Sequence, residues 1–471
     1  MRHYDLCVIG SGPAGQRAAI QAAKLGKSVV VIEKRQTVGG VAVNTGTIPS
    51  KALREAILQV AGRSVAAPRY EDFASAKDAL FSNLMHSCGR VIGAEVEITE
   101  QQFRRNGIEI MHGTGSFTDP ETVTVTHSRG SDRVQAENFL IAVGTRPARP
   151  EGIPFDEQNV ITSDQIHELA AMPRSMIVVG GGVIGTEYAS MLQALGVKVT
   201  LVEGRSRLLD FVDAEIAEAL QFHLRQAGAT LRLGEKVTKI SVGDAPEGSH
   251  TSDGIIAEAV LESGKTLRAD ALLYAIGREG STDKLGLDNV GLEADHRGRL
   301  KVNETYQTSA EHIYAAGDVI GFPSLASTSY EQGRIAACHM FGARFDTFSE
   351  LLPYGIYSVP EISMVGWTEQ RLTEEGIPYE SGVASYKEIA RGQLIGDDIG
   401  MLKLLIHQDT HTVLGVHALG TGATELIHIG QTAIAFNATV EYFVDAVFNY
   451  PTLAEAYKVA AYNGLNKLRG V

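Results

Sequence analysis

Gly10-Ser11-Gly12-Pro13-Ala14-Gly15 closes an apolar run at residues 6–9 and opens a helical pattern carrying Ala18, Ala19, Ala22 and Leu25. A second apolar run, residues 28–32, ends on Glu33. The same parts return 170 residues later: Gly180-Gly181-Gly182-Val183-Ile184-Gly185, a helical stretch through Ala189 and Leu195, and residues 197–202 ending on Glu203. In both copies the acid follows the first glycine by 23 residues. The first glycine (Gly10, Gly180) permits a tight turn, and the second (Gly12, Gly182) lets a pyrophosphate approach the backbone. The third (Gly15, Gly185) lets helix and strand pack closely, while the acid accepts a hydrogen bond from a ribose hydroxyl. One such turn alone is weak, because glycine-rich turns are common, and the bland alternative for the pair is two flavodoxin-like units with incidental glycines. Two copies with equal spacing and matching flanks predict two Rossmann-like nucleotide-binding units.

Outward from these units, residues 76–106 read as a long amphipathic helix, followed by alternating segments such as 122–126 around an Asp119-Pro120 turn. The first unit returns with Phe139-Leu140-Ile141-Ala142-Val143-Gly144-Thr145-Arg146-Pro147, the second with Ala271-Leu272-Leu273-Tyr274-Ala275-Ile276-Gly277-Arg278. Asp213 is placed to cap a helix whose apolar face is Ile216, Leu220, Leu224 and Ala227. From about residue 346 the glycine signatures stop, and residues 401–406 and 413–419 predict a hairpin followed by two helices.

A length of 471 residues suggests about three domains. A formal charge of −14 argues against nucleic acid or an anionic membrane as a partner, and no segment offers about 18 continuous apolar residues for a membrane span. Cys7, Cys88 and Cys338 are far apart, without CxxC or zinc spacing, and Cys7 reads as a small buried hydrophobe. The N-terminal run is too short and glycine-interrupted for a signal peptide, so a reducing cytoplasm is the expected setting.

Behind the first unit lies Gly39-Gly40-Val41-Ala42-Val43-Asn44-Thr45-Gly46-Thr47-Ile48-Pro49-Ser50-Lys51, feeding an amphipathic run of Ala52, Leu53, Ala56, Ile57 and Val60. With the doubled nucleotide pattern and the strand end at Gly317-Asp318, this resembles the pyridine nucleotide–disulphide oxidoreductases over nearly the whole chain. The resemblance implies FAD on the first unit, with Gly10, Gly12, Gly15, Glu33, Lys51, Gly144 and Asp318 as binding residues. It implies a nicotinamide cofactor on the second, with Gly180, Gly182, Gly185, Glu203 and Gly277. Lys51 would lie beside the reactive edge of the flavin, paired with Glu187, both catalytic, and the helix opening near Ala326 would turn free N–H groups and its positive end toward the ring. The bland alternatives are a surface lysine on a first helical turn and a glutamate on a solvated helix face.

The implied fold is α/β, with two Rossmann-like (doubly wound) nucleotide-binding domains and an α+β C-terminal dimerisation domain. The FAD domain is discontinuous (1–150 and 273–345), the NAD(P) domain spans 151–272, and 346–471 forms the interface of a homodimer or higher homo-oligomer.

Departures from the family carry as much information as the matches. Its two redox cysteines fall at Ala42 and Thr47, and the base expected in a His-Pro-Thr-x-x-Glu segment falls at Tyr450. Glu455 remains, but Thr452-x-x-Glu455 is equally a helix-capping box. Without a thiol pair no electrons pass to a disulphide, so lipoamide and glutathione are not expected substrates. Gly46-Thr47-Ile48-Pro49-Ser50-Lys51 and the segment from Phe448 to Tyr457 are similar to those of soluble, Si-specific pyridine nucleotide transhydrogenases. That similarity implies ping-pong exchange between NADPH and NAD⁺ through FAD at a single nicotinamide site.

Glu203 favours the free 2′-hydroxyl of NAD, while Arg205 and Arg207 stand near enough in sequence to meet the 2′-phosphate of NADP. The rival readings are an NAD(P)H:quinone reductase or diaphorase on the same scaffold, and a flavin-bearing assembly subunit, for which no lipoyl-like or Pro/Ala-rich linker is present. No metal is expected: His407 and His411 flank a turn and read as solvated, and His428 reads as an interface or core residue.

Overall fold

Val29–Glu33 is buried at every position, as a parallel strand covered on both faces must be. It lies between Glu109–His112 and Arg2–Ile9, and Arg2–Ile9 pairs in parallel with Gly130–Ile141. The computed structural model describes residues 2–61, 74–169, 171–245, 254–346 and 350–470. Gly130–Ile141 is long enough to serve two partners on its far side. Its first half pairs with Thr122–His127, which pairs in turn with Thr114–Asp119, making the expected meander. Its second half takes Ile313–Ala315 in parallel, with Ile313 opposite Phe139. The first nucleotide unit is therefore completed by a strand that arrives only after the second has been built.

The second sheet runs in the order Thr230–Leu233, Lys198–Glu203, Ser175–Val179, Ala271–Tyr274, Val160–Ile161, all parallel. The repeat seen in the residues is a repeat in space. A Cβ built on Gly15 would stand 1.9 Å from the carbonyl oxygen of Gly10, and one on Gly185 the same 1.9 Å from that of Gly180. Only glycine lets helices Pro13–Lys24 and Val183–Ala194 leave their strands at this distance. Helix Ala74–Arg105 covers the long amphipathic run. Helix Ala326–Met340 seats against Pro13–Lys24 with comparable intimacy, since a Cβ on Gly333 would meet the Ala14 carbonyl oxygen at 2.1 Å.

The C-terminal part is a five-stranded antiparallel sheet, Tyr354–Ile356, Ile362–Gly366, Val413–Leu419, Met401–His407 and Tyr379–Ser385 in that order. Helices Ala423–Ala435, Glu441–Asp445 and Glu455–Leu468 follow, one more than expected. Glu441–Asp445 is a single turn anchored by buried Phe443, too short to show a helical period. The capping box at Thr452 and Glu455 does not form. Thr452 Oγ1 donates to the Asn449 carbonyl oxygen at 2.8 Å, and Ala454 is the residue at the helix entry.

Asp213 does cap its helix, accepting the Glu215 N–H at 3.2 Å. It also holds Lys403, whose fully buried ammonium lies 2.9 Å from Asp213 and 2.8 Å from Glu215, with Glu369 as a third partner. Burial opposes the ammonium charge, but three carboxylates outweigh it and keep Lys403 above the ordinary lysine range. Burial likewise pushes Asp213 up, yet His417 and Lys403 beside it hold the carboxyl below its usual range. This knot ties the second nucleotide unit to the antiparallel sheet. Among the described residues it is also the acidic cluster with metal-like spacing, and a lysine fills it.

Candidate active site

A cleft of about 940 Å³ opens where the two nucleotide units and the C-terminal sheet meet. Its walls include the first glycine loop, the 40–51 segment, Gly144, Asp318, the start of helix Ala326–Met340, and Tyr357. The volume is near the upper end of the roughly 300–1,000 Å³ range of small-molecule and cofactor sites.

Lys51 and Glu187 are brought together at its centre. The ammonium stands 2.9 Å from each carboxylate oxygen, and Glu187 also accepts the Tyr357 N–H at 2.8 Å. Glu187 is only 4% exposed, whereas Lys51 keeps 24% of its side chain open to the cleft. Neither bland alternative fits this geometry, because the pair faces inward. The Tyr357 ring completes the arrangement, its centroid 4.8 Å from the Lys51 ammonium, a cation–π contact.

At one end of the cleft, Gly12 enters helix Pro13–Lys24 with no side-chain cap, so its first N–H groups stay available. A Cβ on Gly12 would meet nothing nearer than the Gly40 Cα at 3.9 Å, which leaves this backbone open to a ligand. Gly10 and Glu33 line the cavity, while Gly15 lies behind it, packing helix on strand. Glu33 accepts from the Ser11 N–H at 3.1 Å and the Arg35 N–H at 2.9 Å, so the acid first shapes its own loop. Leu325, without a side-chain cap, opens helix Ala326–Met340, and Ala326 and Ser327 present N–H groups to the cavity.

Asp318 follows strand Ile313–Ala315 at a left-handed Gly317. Burial raises its carboxyl above the usual range, against the opposing influence of Arg278, Thr145 and Arg299. Thr145 Oγ1 donates to it at 3.3 Å and itself accepts Arg278 Nε–H at 2.8 Å. Thr145, Arg278 and Tyr357 were not singled out from the sequence. For the first two a signal existed, since both follow the glycine of a return strand, Gly144 and Gly277. Tyr357 lies in no motif.

Gly180, Gly182, Gly185, Glu203, Arg205 and Gly277 lie outside the cavity, around the carboxyl ends of the central strands of the second sheet. Gly182, like Gly12, has open space where a side chain would be. Glu203 accepts the Gly181 N–H at 2.6 Å and grips Arg205 through both oxygens at 2.9 Å. Burial pushes its carboxyl up, but the Arg205 hydrogen bonds prevail and keep it below the usual range.

Among the described residues no sulphur lines the cleft. Ala42 and Thr47 line it, and Cys7, Cys88 and Cys338 are free, buried and elsewhere. Burial pushes the Cys88 thiol up to about 11, far from a thiolate at neutral pH. The histidines read as solvated are engaged: His407 Nδ1 accepts the Asp409 N–H at 3.2 Å, and His411 Nδ1 lies 2.5 Å from Glu441. His428 is exposed in the protomer at the mouth of the cleft, so it is not a core residue.

Residues 4–333 match the model of the pyridine nucleotide-disulphide oxidoreductases, and residues 352–461 match the dimerisation domain of that family. The chain belongs to this family. Within it, the chain is 52% identical to a soluble pyridine nucleotide transhydrogenase of Mycobacterium tuberculosis, over 100% of this chain and 99% of that one. It is 47% identical to a protein of the same name from Yersinia pestis, with 99% of each covered. Among solved structures, the HOCl-induced flavoprotein disulfide reductase RclA of Escherichia coli matches with a TM-score of 0.85 at 26% identity, over 98% of this chain and 99% of that one. Among the described residues no helix is long and apolar enough to cross a membrane.

Proposed function

We propose that this chain is an FAD-dependent, soluble NAD(P)⁺ transhydrogenase that exchanges reducing equivalents between NADPH and NAD⁺ in a ping-pong cycle. The observation that carries the reading is a family cleft built around Lys51 and Glu187 whose two thiol positions are Ala42 and Thr47. With no sulphur relay, the electrons have only nicotinamides, or an adventitious acceptor, to go to.

The residues present fit FAD. The Gly10–Gly15 loop and the uncapped helix behind it would take the pyrophosphate, Glu33 the adenosine ribose, and Asp318 the ribityl hydroxyls. The two-electron chemistry, taking a hydride from one nicotinamide and yielding it to the next, is what a bound FAD would supply. Lys51 holds a fixed positive charge at the centre of the cleft, with its orientation set by Glu187 and Tyr357. The helix start at Ala326, which lines the same cleft, adds N–H donors and a positive dipole end. The second glycine loop, Gly180 to Gly185, with Glu203, Arg205 and Gly277, would receive each nicotinamide nucleotide in turn.

The assembly is a homodimer through residues of the C-terminal domain. Phe436, Val447 and Tyr450, exposed by 81%, 95% and 75%, leave large apolar side chains of that domain open for a second copy to cover. Domain limits at 150, 272 and 345 and a cytoplasmic setting complete the reading.

The deciding experiment mixes NADPH with thio-NAD⁺ anaerobically, without quinone. Reduction of the analogue supports transhydrogenation. Its absence, with quinone reduction intact, would establish the diaphorase reading instead.

A further inference from the structure

The outer end of the second nucleotide loop holds three charges in a fixed order of exposure. Glu203 is innermost, its side chain 9% exposed and pinned by the N–H groups of Gly181 at 2.6 Å and Arg205 at 2.9 Å. Arg205 lies across it, using Nε on one carboxylate oxygen and Nη2 on the other. The remaining guanidinium nitrogen, Nη1, pairs with Asp210. Arg205 and Asp210 are 45% and 51% exposed, so this outer pair faces solvent while the inner one does not. Arg207 reaches the same loop, Nη2 donating to the Asp210 carbonyl oxygen at 3.1 Å, and its buried Nε has no hydrogen-bond partner.

We propose that Asp210 is a specificity-determining residue, an internal anion that occupies the outer nitrogen of Arg205 and that the 2′-phosphate of NADP(H) must displace. A carboxylate and a phosphate compete for the same guanidinium nitrogen, here Nη1. Glu203 cannot be the group that yields, because two backbone N–H groups and its burial hold it whether or not Arg205 stays. Asp210 has no such anchorage: its carboxylate is half exposed, and Arg205 is its ion-pair partner. A free 2′-hydroxyl leaves the Arg205–Asp210 pair intact and is met by Glu203. A 2′-phosphate takes the place of Asp210 on Arg205, in the loop that the Arg207 guanidinium also reaches through Nη2. The built-in competitor weakens only the phosphorylated cofactor, which narrows the gap between two nucleotides that one site must bind and release alternately.

This inference rests on the transhydrogenase reading, and its test separates the two. Adenosine 2′,5′-bisphosphate and adenosine 5′-monophosphate are titrated calorimetrically into flavin-loaded wild type, D210N, R205Q and the double variant. D210N is expected to bind the bisphosphate about tenfold more tightly, with monophosphate affinity within about twofold of wild type. In the R205Q background the gain from D210N should fall below about twofold, because the contact being released is gone. An unchanged bisphosphate affinity in D210N overturns the proposal. So does an equal gain in the R205Q background, which would mark a general field effect. Should D210N fold poorly, Asp210→Ser carries the same expectation. Wild type that binds both probes but cannot reduce thio-NAD⁺ with NADPH defeats the functional reading alone, whereas active wild type with an indifferent D210N defeats the Asp210 assignment alone.

Discussion

Lys51 and Glu187, 136 residues apart in the chain, meet ammonium to carboxylate at 2.9 Å on both oxygens, each from a different nucleotide unit. The contact does more than pair charges: it registers one unit against the other at the point where their ligands would face each other. Glu187→Gln keeps the shape and removes the charge. It is expected to lower kcat for NADPH-to-thio-NAD⁺ transfer by about ten- to a hundredfold while flavin content stays at the wild-type level. Stopped-flow mixing of the oxidised enzyme with NADPH, read in the flavin absorption band, checks this. An unchanged reductive rate would reduce the pair to a structural contact.

Lys403→Met strands Asp213 in a site with no exposure and should cost about 3–5 kcal/mol in unfolding free energy, measured by urea titration at pH 7. The pH dependence has a definite sign. Asp213 sits below its ordinary pKa of about 3.9, so its contribution is present above that value and fades as the pH falls further. Lys403 sits above its ordinary value of about 10.4, so its share is present below that pH and fades only in stronger alkali. Wild type should therefore show a stability plateau from about pH 5 to pH 9 with respect to this pair. The variant should lose the acid-side fall that Asp213 contributes.

Gly185→Ala places a methyl group 1.9 Å from a carbonyl oxygen, and relief requires the second helix to shift. The expected protein is still yellow, since the first unit is untouched, but its KM for both nucleotides rises by about tenfold or more. Gly15→Ala makes the same 1.9 Å clash in the first unit and should instead yield protein with little bound flavin. Visible absorption of the two purified variants, side by side, distinguishes them.

Asp318→Asn tests the raised carboxyl. Because burial lifts the folded-state value above the ordinary one, the charged form is disfavoured at neutral pH and the penalty disappears as the pH falls. Removing the charge should raise the thermal midpoint of the apoprotein at pH 7, with a smaller gain at pH 4. Flavin retention should drop at the same time, because the carboxylate proposed to hold the ribityl hydroxyls is gone. A variant with a lower apoprotein midpoint would contradict the burial account.

Much of this was readable in the residues because the features are local. The doubled glycine loops, their terminal acids and the return strands each announce themselves within a few positions, and strict spacing between Gly10 and Glu33 and between Gly180 and Glu203 left little freedom. What escaped was long-range. Tyr357 contributes through a backbone N–H and a ring face, neither of which has a pattern. Lys403 is one polar residue in an apolar strand, and only the fold brings Asp213, Glu215 and Glu369 to it. The box at Thr452 failed for the opposite reason: a local motif was present, but Thr452 Oγ1 bonded backward to Asn449 and the helix entered at Ala454 instead. Thr452→Ala is accordingly expected to cost less than the about 1 kcal/mol typical of losing a true cap, by thermal melting.

The seat of Gly333 on Ala14, and of Ile313–Ala315 beside Phe139, has a consequence for biosynthesis. A nascent chain emerging from the ribosome cannot close its first sheet until more than 300 residues have been made, so the far side of the second half of Gly130–Ile141 waits unpaired through translation of everything between. The intervening unit, continuous in the chain, is free to finish early. Arrest of translation near residue 300 should leave a folded middle flanked by an unsealed beginning, a species that chaperones would be expected to recognise.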